Sequence, residues 1–248
     1  MTSETTFYKK ILFIGHSLIE FFDWQNRFPD HKVVSLGVAG ETVEGLLART
    51  DGIIKEYPHF DLVFIMTGTN DVAMEDFDFL DSYKNIIEKL SAAYPGSGIF
   101  IHSILPVTLE WITDEDIKRA NRSIKKLAEE TRVEFLDVYK LFIDTKGKAV
   151  ESYLLDDGVH LSDKGYAVWT GSLEKIVNSY TKDDGNKNSE EAPVHCPVCG
   201  RELTSKQRKE GGWKCSCGEF IPEGLGVNSF MGSTDRIRPH YDKKRTGF

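Results

Sequence analysis

Five short, predominantly apolar runs constrain this chain more than any other feature: Ile11–Ile14, Val33–Leu36, Leu62–Met66, Ile99–Ile104 and Val133–Leu136. Each has the length of a strand, and apolar residues on successive positions suit burial on both faces of a parallel sheet. Between the runs the period changes. Thr42–Glu56 places Val43, Leu46, Leu47, Ile53 and Ile54 largely on one helical face, and Phe79–Leu90 repeats with Leu80, Tyr83, Ile86, Ile87 and Leu90. A third helix starts at Thr113, where Asp114, Glu115 and Asp116 suit the N-terminal dipole, and runs toward Leu127. A last one spans Asp163–Tyr180. This alternation predicts an α/β fold, a three-layer α/β/α sandwich around a five-stranded parallel sheet with right-handed crossovers. Ligand sites in such sheets lie at the carboxyl ends of the strands.

The charge pattern divides the chain. Residues 1–180 carry 19 Lys and Arg against 29 Asp and Glu, a net of −10, while 181–248 carry 12 against 10, a net of +2. All four cysteines fall between Cys196 and Cys217. Residues 181–193 lack large apolar side chains and cannot bury enough surface to offset their ordering entropy, so they read as a polar linker. The expected organisation is therefore a domain over 1–180, a linker over 181–193, and a small module with a basic tail over 194–248. The acidic first domain argues against a general binder of phosphate backbones. No apolar run approaches the ~20 residues of a membrane helix, and the first residues lack the basic-then-apolar order of a signal peptide. The expected compartment is the cytoplasm.

The predicted strand ends carry chemistry-bearing residues. Gly15-His16-Ser17 follows the first strand, and Gly37-Val38-Ala39-Gly40-Glu41 ends and follows the second. Gly68-Thr69-Asn70-Asp71 follows the third, and Asp157-Gly158-Val159-His160 precedes the last helix. Each fragment alone is ordinary: a serine there is often a helix cap, and an Asn-Asp pair a turn. Four in order resemble the SGNH, or GDSL-type, hydrolase family, over about residues 9–180. The resemblance implies a flavodoxin-like sandwich and a serine esterase or acylhydrolase acting on a small-molecule ester without a catalytic cofactor. Ser17 would be the nucleophile, and Gly37 and Asn70 would contribute oxyanion donors together with the Ser17 amide. His160 would be the base, and Asp157, or its neighbour Asp156, the acid that orients it. A serine hydroxyl needs such a base, and activity should rise as the imidazole loses its proton.

Two departures from the family pattern stand out. His16 occupies the position where an aspartate is usual, either as a second titrating group or as a filler of space. Ser35-Leu36 stands where Asn-Arg is common. Val72-Ala73-Met74 and Leu105-Pro106-Val107-Thr108 would face the site, and Trp111 would stack on a sugar, pack on an acyl chain or simply pack. A domain of near-minimal length leaves little room for a lid, which favours short acyl groups such as acetyl.

The tail reads His195-Cys196-Pro-Val-Cys199-Gly200 and, fifteen residues on, Cys215-Ser-Cys217-Gly218. Two thiolate pairs at this separation resemble a Cys₄ zinc ribbon with structural zinc on Cys196, Cys199, Cys215 and Cys217. The second pair is one residue shorter than usual, and His195 would substitute where one thiolate cannot reach; disulfide pairing is the competing reading. Fewer than thirty residues with so few large apolar side chains need the ~10–16 kcal/mol that zinc supplies. Lys206, Arg208, Lys209 and Lys214 would give the module a basic face, either solvated or turned to nucleic acid, a protein partner, a second copy or the acidic domain. The rival to an esterase is then an adaptor in which the ribbon binds and the larger domain is scaffold.

Overall fold

The computed structural model describes residues 9–180 and, beyond them, 194–195, 202–203, 208–209, 212–214, 216–218 and 220–222. The chain divides into two units, Met1–Ser189 and Glu190–Phe248.

In the first unit the strands are β1 (Lys10–Gly15), β2 (Lys32–Gly37), β3 (Leu62–Met66), β4 (Gly98–His102) and β5 (Glu134–Leu136). They pair in parallel in the order β2-β1-β3-β4-β5. The helices are α1 (Ser17–Glu20), α2 (Trp24–Arg27), α3 (Val43–Glu56), α4 (Thr69–Ala73), α5 (Leu80–Ala93), α6 (Asp114–Thr131) and α7 (Asp163–Ser179). Successive side chains of the central strands point to opposite faces. Leu12, Ile14, Val63 and Ile65 pack with Leu46, Ile87 and Ile124 of α3, α5 and α6. Phe13, Phe64 and Met66 pack on the other face with Trp24 and Trp169 of α2 and α7. Each such side chain contributes about 1.5–3 kcal/mol of burial. This is the expected three-layer arrangement.

The helices start where their caps dictate. Thr113 caps α6 in a reciprocal box with Asp116, and the Ser162 hydroxyl takes the Gly165 amide at 3.2 Å to begin α7. Two strands differ from the expectation of full burial: β2 and β5 are largely half-exposed, because each closes one edge of the sheet. The run expected over Ile99–Ile104 leaves the ladder after His102. There Asn121 of α6 takes over, donating to Ile104 O at 2.8 Å and accepting its amide at 2.7 Å.

In the second unit Val194–His195 pairs antiparallel with Glu202–Leu203. Arg208–Lys209, Gly212–Lys214 and Phe220–Pro222 form a three-stranded antiparallel sheet. Cys196, Cys199 and Cys215 lie outside the described residues; Cys217 is described and exposed.

Candidate active site

Strand order reverses between β1 and β3, and the crevice at their carboxyl ends is the switch point where open α/β sheets bind ligands. The chain leaves β1 through Gly15, at a φ of +145°. A Cβ there would sit 1.8 Å from the Met66 carbonyl oxygen of β3, so only glycine lets the two strand ends run this close. Ser17 follows as the first residue of α1 and is 5% exposed. Its hydroxyl lies 2.9 Å from His160 Nε2.

His160 arrives on the loop before α7. Its Nδ1–H donates to Asp157 Oδ2 at 2.7 Å, which leaves Nε2 as the acceptor of the Ser17 hydroxyl. Asp157 Oδ1 takes the amides of Val159 and His160, both at 2.9 Å, so the three-residue spacing closes on itself and Asp157, not Asp156, meets the ring. Partial burial would raise the Asp157 carboxyl, but the His160 amide, the His160 ring and the Val159 amide outweigh it and hold the group down at about 2. The carboxylate side chain is half exposed, so its contact with the imidazole contributes little to stability. Its effect is on the tautomer and orientation of the imidazole.

Gly37, at the end of β2, faces α1 so closely that a Cβ would lie 2.2 Å from the Glu20 amide nitrogen. The loop that follows is tied at several points. Val38 N–H donates to Gly15 O at 2.9 Å, and Ala39 N–H donates to the Glu20 carboxylate. Arg49, one turn and a half into α3, donates from Nε and Nη2 to the Glu41 carboxylate at 2.5 and 2.6 Å, and from Nη2 to Leu36 O at 2.7 Å. Asn70, in α4, donates one side-chain N–H to Glu41 O at 2.8 Å, leaving its second N–H for another acceptor. Asp71 is buried and accepts the Val43 amide on both oxygens, at 3.1 and 3.2 Å, at the start of α3. Burial pushes its carboxyl up to about 6 against the pull of the Val43 amide.

Ser17, Gly37, Asn70, Asp157 and His160 are thus all held at the carboxyl edge of one sheet, and the first, fourth and fifth form one continuous hydrogen-bonded relay. Such a set can activate a hydroxyl and offer donors to an oxyanion. His16 proves to be neither a titrating group near neutrality nor a bare filler. Its Nδ1 accepts the Leu18 amide at 3.4 Å and caps α1. Burial, and then the nearby His160, keep the ring neutral down to about 3. Its Nε2 is buried with no partner among the described residues. Trp111 is exposed, with its indole N–H on Ala73 O at 3.0 Å. Arg49, Glu41 and Glu20 escaped the sequence reading, since nothing in the spacing of an exposed-looking arginine on a helix announces a backbone carbonyl thirteen residues earlier.

Residues 20–168 match the GDSL-like Lipase/Acylhydrolase family, more than half of the chain. The chain belongs to this family. It is accordingly a hydrolase acting on ester bonds. The match takes in Gly37, Asn70, Asp157 and His160 and begins three residues after Ser17, whose placement is given by the geometry above. The chain is 22% identical over 186 residues to platelet-activating factor acetylhydrolase IB subunit alpha1 of Bos taurus, covering 71% of this chain and 78% of that one. It is 24% identical to the isoamyl acetate-hydrolyzing esterase of Saccharomyces cerevisiae, covering 73% and 91%. The solved structure of an acetylxylan esterase from Geobacillus stearothermophilus superposes with a TM-score of 0.58 over 70% of this chain and 95% of that one, at 21% identity. That likeness is one of fold. Among the described residues, no helix is long and apolar enough to cross a membrane and no cluster of His, Cys, Asp and Glu could hold a metal.

Proposed function

We propose that this protein is a serine esterase that removes short acyl groups, acetyl foremost, from small esters through an acyl-enzyme. The relay from Asp157 to His160 to Ser17, with its 2.7 and 2.9 Å contacts, carries the reading. Ser17 Oγ attacks the ester carbonyl while His160 Nε2 takes its proton. The resulting oxyanion meets the amides of Ser17 and Gly37 and the uncommitted side-chain N–H of Asn70. Collapse breaks the bond to the alcohol, which leaves with the proton returned by His160. Water then repeats the sequence on the acyl-serine and releases the acid. Asp157 fixes the imidazole tautomer throughout and keeps its own charge, being held at about 2.

The acetyl preference is supported by the names of the similar proteins: an acetylhydrolase, an isoamyl acetate-hydrolyzing esterase and an acetylxylan esterase. p-Nitrophenyl esters from acetyl to decanoyl test it. The acetyl ester is expected to show the highest kcat/KM, and a higher value for the decanoyl ester would refute the preference.

The second unit is proposed to hold a structural zinc on Cys196, Cys199, Cys215 and Cys217. In sequence, Cys196 and Cys199 fall between one antiparallel pair of strands, and Cys215 and Cys217 between two strands of the other sheet. Such connections are where zinc ribbons carry thiolates. The expected result is one zinc per chain in the purified protein, lost in a Cys196→Ser, Cys199→Ser double variant; a metal-free wild-type protein would overturn it.

A further inference from the structure

Five large apolar side chains are exposed among the described residues: Phe21, Val38, Met74, Trp111 and Leu155. Their positions are not scattered. Phe21 follows Ser17 by four residues, Val38 follows Gly37 by one, Met74 follows Asn70 by four, and Leu155 precedes Asp157 by two. Trp111 is bonded to Ala73, beside Met74. Exposed apolar side chains of this size on an otherwise polar exterior mark binding surfaces, and here four of them flank residues of the catalytic set in sequence.

The chemistry divides this rim in two. His160 must hand its proton to the departing alcohol, so the alcohol lies alongside the imidazole, whereas the oxyanion lies toward Gly37 and Asn70. Two rim residues belong to the imidazole side. The Phe21 ring stands 5.3 Å from the His160 ring, centroid to centroid, tilted by 43°. The Leu155 amide donates to His160 O at 2.7 Å, which fixes that residue on the same loop. Neither side chain can hydrogen-bond, so neither can replace water around a hydroxyl-rich alcohol. The acids next to Phe21 in sequence are engaged elsewhere, Glu20 with the Ala39 amide and Asp23 with the Asn26 amide, where it caps α2.

We infer that Phe21 and Leu155 form the leaving-group subsite and select esters of apolar alcohols over esters of polyhydroxylic ones. This deepens the esterase reading and rests on it. Val38 next to Gly37, Met74 at the end of the Asn70 helix and Trp111 bonded to Ala73 are tied to the other segments and do not enter the selection of the alcohol.

A series with the acyl group fixed as acetyl tests the inference: methyl, ethyl, propyl and butyl acetates, with 2-methoxyethyl acetate as a polar counterpart of the butyl ester. In the wild-type protein kcat/KM is expected to rise about two- to fourfold per methylene, as for partial to full burial of each group. Butyl acetate is expected to exceed 2-methoxyethyl acetate by about tenfold, since an ether oxygen loses its water against Phe21 and Leu155. Phe21→Ser and Leu155→Ser should each shallow the series, and the double variant should flatten it. Both positions are exposed, so the fold should tolerate the changes, and circular dichroism checks that it does. A flat series in the wild type, or an unchanged slope in the double variant, overturns the subsite alone. Hydrolysis of no acetate above the level of Ser17→Ala overturns the subsite and the esterase reading together.

Discussion

Ser17→Ala is expected to lower kcat on p-nitrophenyl acetate by about 10⁴–10⁶-fold, and His160→Ala by a similar factor. The two residues act as one unit, because the hydroxyl is inert without the acceptor 2.9 Å away and the imidazole has nothing to activate without the hydroxyl. Combining the two substitutions should therefore cost little more than either alone. The serine change removes a single oxygen from a residue that is 5% exposed and leaves the backbone of α1, capped by His16, untouched. Its thermal unfolding should thus stay within a few degrees of the wild type, which separates a chemical loss from a folding one. Steady-state kinetics with active-site titration decides the matter. Residual turnover within tenfold of wild type would mean that another nucleophile operates.

Asn70→Ala should lower kcat by about 10²–10³-fold with a much smaller change in KM, the pattern of a donor that acts on the transition state more than on the bound ester. Asn70 has one contact in the structure and one proposed role, and the substitution removes both. One N–H anchors Glu41 O, and the other is the proposed donor to the oxyanion. Arg49→Ala distinguishes them, since it loosens the same loop at Glu41 and Leu36 without deleting a donor. It should fall well short of the Asn70→Ala loss. If the two variants lose the same factor with the same KM, Asn70 acts by holding the loop and the oxyanion is met by the backbone amides alone.

Much of this is legible in the sequence. Buried parallel strands announce themselves by consecutive apolar residues, and β3 was bounded to the residue as Leu62–Met66. Thr113, before α6, and Asp163, the first residue of α7, mark those helix starts because caps and acidic first turns are local signals. The four-residue helices α1 and α2 were not legible, being too short to show a period. The half-exposure of β2 was missed for a different reason: which strand ends up at an edge depends on the order of crossovers, not on the strand's own residues. At the site, Asp157 and His160 are three residues apart, a spacing that favours their pairing but leaves Asp156 open until the 2.7 Å contact decides it. What holds the Gly37 loop depends on tertiary contacts, from Glu20 in α1, Arg49 in α3 and Asn70 in α4, and no local pattern encodes it. The cysteine pairs were the plainest motif in the chain, yet Cys196, Cys199 and Cys215 lie outside the described residues.

The tethering of that loop has a consequence for how the protein behaves on warming. Surface loops ordinarily loosen before the body of a domain, because few of their hydrogen bonds depend on the core. Here the segment after Gly37 is bound to β1, α1, α3 and α4 at once. Its bonded amides, those of Val38 and Ala39, should therefore exchange with solvent as slowly as those of the elements that hold them. Catalytic competence should then persist with rising temperature up to the cooperative unfolding transition, and be lost within it.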